Sequence, residues 1–385
     1  MIAAAVVCCA VRPAIRSVVL CAALFAAFPA TAQLTIGGTF TATGSNASIG
    51  IPGKTSMEVL PTTIGGLTVR MVLLDDGGDP SVAARNARKL ATEEKVDVIF
   101  GSSSTPTSLA IADVAAETKT PQLALAPIPI RNPYVFSVPQ SVMVMVEGVV
   151  LHMKANGVKS VGFVGFSDGW GDQNFEALQK HATAAGIKIV ANERYARTDT
   201  SVTAQILRIV AAGADAVFVG GASTPAALPS IALVERGFKG RVYHTHGVIN
   251  PDFLRVGGKA VEGIVAPSGP FVVAAQLPDS NPIKAIALDY AKRYEDKFGA
   301  GTKNPFGAYV WDAYQWLNAA IPVALKKGKP GTPEFRSALR DAIEGLKDVP
   351  GSHAVYTLSP ENHNGVDGRG RVMVRVENGA FKVLP

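Results

Sequence analysis

From Thr35 onward the chain alternates short β-branched runs with stretches in which apolar residues recur every three to four positions. That alternation is the pattern of parallel sheets covered by helices. Residues 35–40 and 69–74 read as strands, and residues 46–60 between them read as a helix interrupted by glycines. In 81–94, Ala83, Ala87, Leu90 and Ala91 fall on one stripe, which predicts a helix lying on a sheet. Residues 96–100 form the next expected strand. It ends at Gly101, and the turn Ser102, Ser103, Ser104, Thr105 leads into a helix with Pro106 near its start. A strand's carboxyl end followed by a helix N-terminus is where open α/β sheets bind ligands.

The same unit returns twice. Strand 161–164 and the turn 165–171 precede a helix with Phe175, Leu178, Ala182 and Ala185 inward. A helix marked by Val202, Ile206, Ile209 and Val210 then leads through Gly213 to strand 215–219 and the turn 220–224. Three further helices follow, traced by Ile283 to Phe298, by Val310 to Ile321, and by Phe335 to Ile343 behind the cap Thr332 and Pro333. Beyond Val355, short strands alternate with Asn, Gly and Asp turns. No low-complexity linker divides the chain, so two lobes joined by crossovers near Pro139, Pro270 and Gly351 are expected. One takes residues 33–139 plus 272–350, the other 140–271 plus 351–385.

The first 32 residues follow a different pattern. Arg12 and Arg16 precede an apolar run over 18–28, and Ala30 and Ala32 stand where a signal peptidase needs small residues. A cleaved signal peptide ending before Gln33 is expected. A lipid anchor at Cys21 is disfavoured because Leu20 before it is not small. All three cysteines, Cys8, Cys9 and Cys21, lie inside this segment, so no disulfide or thiol chemistry is expected of the mature protein. Of 37 basic and 31 acidic residues, only Arg12 and Arg16 are lost with it, leaving 35 against 31, or +4. So mild an excess without basic clusters gives no sign of nucleic acid. No second apolar run reaches the length of a membrane span, so an exported protein that is not membrane-embedded is expected.

Catalytic signatures are weak. Gly162-x-x-Gly165 lacks the spacing of a dinucleotide loop, and no Gly-x-Ser-x-Gly elbow occurs. An exported Rossmann-like enzyme is therefore a remote alternative, and neither cofactor nor enzymatic activity is expected. His244 and His246 would share a face if both lay on a strand, but no third metal ligand stands nearby, so no metal is expected. Asp75, Asp76 and Asp79 read as a solvated turn with a capping role.

Several short motifs stand in a telling order: Ile36-Gly37-Gly38-Thr39-Phe40 with Thr43-Gly44, then Asp75-Asp76 with Asp79-Pro80, then Ala87-Arg88-Lys89-Leu90. They continue with Ile99-Phe100-Gly101 and its hydroxyl-rich turn, Tyr134-Val135-Phe136, and Asp168-Gly169-Trp170-Gly171. In this order the mature chain resembles the type I periplasmic binding proteins of the leucine/isoleucine/valine-binding class. The resemblance implies a two-lobed α/β fold, each lobe a mostly parallel sheet flanked by helices, with the ligand cleft between the lobes. It also implies a periplasmic monomer that closes on a small molecule and presents it to the membrane permease of an ABC transporter. A ligand sensor of the same fold, acting on a receptor, is the alternative.

Carried over residue by residue, Thr105 matches the family's hydroxyl for the ligand carboxylate, with Ser103 and Ser104 beside it. Where the family has a second hydroxyl, this chain has Pro127-Ile128-Pro129-Ile130, so Ile128 and Ile130 are expected as apolar walls. Trp170 stands where a tyrosine often closes over the ligand, and Ala222, followed by Ser223, stands where a second aromatic is common. His246 takes the place of the acid that holds an amino acid's ammonium group, with Asp168 the other candidate for that role. A buried ammonium without a partner costs several kcal/mol. The implied ligand is thus an aromatic or aliphatic carboxylic acid, with a branched-chain amino acid next.

Overall fold

Residues 33–130 and 132–384 are described by the computed structural model, and the expected export segment at 1–32 lies outside the described residues. The first sheet contains β1 (Gln33–Phe40), β2 (Thr63–Ile64), β3 (Leu67–Asp75), β4 (Val98–Gly101), β5 (Gln122–Ala124) and β6 (Val135–Ser137), ordered β2-β3-β1-β4-β5-β6. All its pairings are parallel except that of β2 with β3. The helices α1 (Ala47–Ser56), α2 (Pro80–Thr92) and α3 (Thr105–Thr118) connect it. Their starts are written locally. Asp79 accepts bonds from the amides of Ser81 and Val82, and Pro80 occupies the position whose missing N–H costs nothing.

After α4 (Val142–Ala155) the second sheet begins, with β7 (Ser160–Phe166), α5 (Gly169–Ala185), β8 (Lys188–Tyr195), α6 (Thr203–Ala211), β9 (Ala216–Gly220), α7 (Ala227–Glu235), β10 (Arg241–His244), α8 (Pro251–Gly257) and β11 (Val265–Ser268). The chain then returns through α9 (Pro282–Phe298), α10 (Pro305–Ala324), α11 (Pro333–Glu344) and the small pair β12 (Val349–Pro350) and β13 (Val355–Tyr356). Finally β14 (Val372–Glu377) and β15 (Ala380–Val383) add an antiparallel edge, giving the order β15-β14-β11-β10-β9-β7-β8. The fold is the expected mixed α/β one, with two mostly parallel sheets forming two lobes.

Each sheet carries its own core. Phe40, Phe100, Phe136, Tyr290, Trp311 and Trp316 are buried in the first lobe, and Phe163, Phe166, Phe218 and Tyr243 in the second. A fully buried side chain of this size contributes about 1.5–3 kcal/mol, which lets each lobe hold its shape without disulfides.

The segments between the lobes pack on one another. Gln140 Nε2 donates to the Gly370 carbonyl at 2.8 Å, and a β-carbon at Gly269 would collide with both Gln140 Nε2 and His353 Nδ1. Asp312 is fully buried and accepts bonds from the Ser352 and His353 amides and the Tyr356 hydroxyl. Burial pushes its pKa up to about 6. The last crossing comes later than Gly351. Ala354, Tyr356, Leu358 and Val366 all join the first core, and the chain reaches the second sheet at β14.

Candidate functional site

Seven strand ends point at one space. A cavity with about 370 Å³ of empty volume lies between the lobes, lined by residues that follow the carboxyl ends of β4, β5, β6, β7, β8, β9 and β10, with α1 and α10 closing it. The placement is the one that doubly wound sheets impose, because helices begin there and their N–H groups face outward.

Ser103, Ser104 and Thr105 form the first lobe's wall. They are held from beneath by Asp76, whose carboxylate takes the hydroxyls of Thr39 at 3.0 Å, Thr41 at 2.8 Å and Ser102 at 2.6 Å. Asp76 is therefore a buried anchor for the loop and no part of a solvated turn. Ser104 precedes α3 in extended conformation without capping it through its side chain, and its hydroxyl pairs with Thr107 at 2.7 Å. The Thr105 hydroxyl donates to the Pro127 carbonyl at 2.9 Å. Ser103 Oγ, also buried, has no hydrogen-bond partner. The serine wall thus offers one free hydroxyl beside an uncapped helix N-terminus, and both favour a negative charge.

From the second lobe come Trp170, Ala222, His246, Gly247 and Arg197. Asp168 Oδ1 accepts from the amides of Trp170 at 2.9 Å and Gly171 at 3.3 Å, so α5 starts at Gly169. Trp170 accordingly lies in the first turn of a helix and not on the free turn that its flanking glycines indicated. Its indole N–H donates to the Gly221 carbonyl at 3.2 Å. Thr245 donates to that same carbonyl at 2.6 Å and accepts from the Gly247 amide at 3.1 Å, which fixes the backbone on both sides of His246. The His246 ring meets the Trp170 edge at a centroid distance of 5.3 Å. Both its ring nitrogens are buried without a partner, and burial, with a smaller contribution from His353, pulls its pKa down to about 3.

His244 does not join it. β10 ends at His244, whose ring bonds Ser230 at 2.8 Å and sits against Phe253, so the two histidines share no strand face. No group of three metal-ligating side chains occurs among the described residues.

Four residues picked from the sequence do not line this cavity. Ile128 packs with Ala112, Ala115, Ala124 and Val135, because the chain after Pro127 turns away to bring β6 beside β5. Ile130 lies farther out, near Pro133, Arg340 and His363. Asp168 gives one oxygen to the cap of α5 and the other to Arg197 Nε at 2.6 Å. Ser223 reaches across to the other lobe, with its Oγ 2.6 Å from Ser48 Oγ and 3.0 Å from the Ser45 carbonyl.

Other lining residues escaped the sequence reading. Arg197 projects from the loop after β8, stacks 4.1 Å over Phe166 and donates to Asn46 of the first lobe at 3.0 Å. Phe306 and Tyr309 come from the first two turns of α10, which Asn304 caps through the Phe306 amide at 2.9 Å. An Asn-Pro start followed by aromatics ahead of the core stripe was the available signal. The Tyr309 hydroxyl donates to Gln140 Oε1 at 2.8 Å, so this wall rests on an interlobe crossing.

Comparison with known proteins agrees with this architecture. A family model described as periplasmic binding protein matches residues 33–380. The Leu/Ile/Val-binding protein homolog 3 of Brucella melitensis is 24% identical over 363 residues, spanning 90% of this chain and 92% of its own. An extracellular ligand-binding receptor from Rhodopseudomonas palustris HaA2 superposes with a TM-score of 0.90 at 43% identity, over 92% of this chain and 100% of its own. A solute binding protein of an ABC transporter from Rhodopseudomonas palustris BisB5, in complex with 3,4-dihydroxy benzoic acid, shares the fold with a TM-score of 0.74 at 21% identity. It covers 91% of this chain and 95% of its own.

Proposed function

The chain belongs to the type I periplasmic binding proteins of the branched-chain amino acid class, and from that premise we propose that it captures a small carboxylic acid lacking an α-amino group for an ABC importer. The observation that carries this reading is the charge of the lining. Among the described residues no Asp or Glu lines the cavity, and its one charged lining residue, Arg197, is paired with Asp168. Of the two acids that flank Trp170 in sequence, Asp168 is matched to Arg197 and to a helix cap, and Asp172 pairs with Arg194.

The ligand's carboxylate sits at Ser103 and the start of α3. Phe306, Tyr309 and Trp170 supply apolar and aromatic walls for a ring or chain. Burying about 100 Å² of such surface contributes roughly 2.5 kcal/mol, and each charge-assisted hydrogen bond adds about 1.5–3 kcal/mol. The fold holds an aromatic acid in the protein from R. palustris BisB5. Because the wall residues come from both lobes, a ligand stabilises the closed state by touching both. The protein acts in the periplasm after export, as a monomer whose closed form meets the permease.

A thermal-shift screen tests the reading. Aromatic and aliphatic acids are expected to raise the melting temperature more than leucine, isoleucine or valine. A larger shift with the branched-chain amino acids would overturn it.

A further inference from the structure

The polar atoms left over in the closed cleft are not at the carboxylate end alone. His246 is only 5% exposed, lines the cavity and has partners for neither Nδ1 nor Nε2. Leaving buried polar atoms unmatched is costly, and such atoms in a binding cavity are matched by the occupant. Two bonded neighbours fix the ring's backbone, and the Trp170 edge limits its tilt, so the ring is presented to the ligand by construction.

We propose that the ligand carries an uncharged hydroxyl at the end remote from its carboxylate, and that His246 binds it and thereby selects hydroxylated aromatic acids over the unsubstituted acid. This rests on the carboxylate reading above and deepens it.

The kind of group follows from the surroundings of His246. The charged and titratable neighbours on the packed elements are Arg197 from the loop after β8, Tyr309 from α10 and His353 from the crossing. Arg197 is neutralised by Asp168, the Tyr309 hydroxyl is used by Gln140, and His353 bonds the Pro305 carbonyl through Nε2 at 2.9 Å. Among the described residues around His246, no free positive charge remains for a second carboxylate and no acid remains for an ammonium. A neutral imidazole has one donor and one acceptor, and a hydroxyl, which is both, matches either nitrogen. The ring that would carry the hydroxyl lies among Phe306, Tyr309 and Trp170.

The test is calorimetry with benzoate, 3-hydroxybenzoate, 4-hydroxybenzoate and benzene-1,4-dicarboxylate on the wild-type protein, His246→Phe and His246→Asn. One of the hydroxybenzoates is expected to bind the wild type at least about tenfold more tightly than benzoate. In His246→Phe that preference collapses to within about threefold, while His246→Asn, which keeps a donor and an acceptor, retains part of it. Melting curves of both variants confirm that they are folded. Benzoate equal to the hydroxybenzoates in the wild type, a preference unchanged in His246→Phe, or the dicarboxylate binding best would each overturn this inference while leaving the carboxylate reading intact. Binding of leucine with none of the four acids would overturn both.

Discussion

Ser48 and Ser223 meet hydroxyl to hydroxyl at 2.6 Å across the mouth of the cleft, joining α1 of the first lobe to the loop after β9 of the second. Ser223 adopts a left-handed φ of 59°, bonds the Gly247 carbonyl through its amide, and sends the same hydroxyl to the Ser45 carbonyl. With Arg197 on Asn46 it ties the two lobes together beside the cleft.

Ser48 is the side to cut, because Ala suits a helix whereas Ala at the left-handed Ser223 would add strain. Ser48→Ala is expected to weaken ligand binding about two- to tenfold, in line with the net value of one hydrogen bond. Stopped-flow measurements should place the change in the dissociation rate. An unchanged rate would mean that the serine pair contributes nothing to closure.

Ser103 and Thr105 are expected to differ in importance. Ser103 Oγ has no partner in the protein, while the Thr105 proton already goes to the Pro127 carbonyl. Ser103→Ala should therefore cost a hydrogen bond to a charged group, about 1.5–3 kcal/mol or roughly ten- to 150-fold in affinity. Thr105→Val should cost less in binding and more in stability, since it leaves that carbonyl unmatched. Titration calorimetry paired with denaturant melts separates the two, and equal losses in affinity would contradict the assignment.

The serine turn was legible in the sequence because four hydroxyls after a strand and before a helix have a position that the βα unit dictates. Trp170, Ala222 and His246 were picked through the family resemblance, and in the structure each follows the carboxyl end of a strand in the second lobe and lines the cavity. Ile128 and Ile130 were misplaced because a run of apolar residues does not reveal which way the chain turns, and here pairing with β5 draws it outward. Arg197 was hidden in a polar loop, since only the folded lobes show that it bridges Asp168 and Asn46. Phe306 and Tyr309 lie far along the chain from the other walls and reach them only because α10 returns to the first lobe. Asp76 looked solvated beside Asp75 and Asp79, and its burial depends on three hydroxyls from two other segments.

Acid should destabilise the folded protein before it protonates the surface carboxylates. Burial pulls the pKa of His244 and His246 to about 3 and that of His353 to about 4. Between those values and the ~6.5 of an unfolded histidine, the unfolded chain binds more protons, so stability is complete above that pH and is lost as pH falls. Asp312 acts in the opposite direction. Its pKa, raised to about 6, makes the folded state bind the extra proton between about 4 and 6, so stability there rises as pH falls. Three histidines outweigh one aspartate, and urea melts should show lower stability at pH 5 than at pH 7. His244→Phe, remote from the cavity, should flatten that slope, and an unchanged slope would contradict the neutral, buried state of His244.

The charge of the cleft is tested most directly with pairs of ligands that differ only in the amino group: 4-methylpentanoate against leucine, and 3-phenylpropanoate against phenylalanine. Arg197 is the charged lining residue, Asp168 is bound to it, and among the described residues no carboxylate lines the cavity. An ammonium group buried there would go unmatched at a cost of several kcal/mol, more than a hundredfold in affinity. Titration calorimetry at pH 7 is expected to show the acid without the amino group binding at least about a hundredfold more tightly in one or both pairs. Tighter binding of leucine or phenylalanine than of its deaminated partner would contradict it.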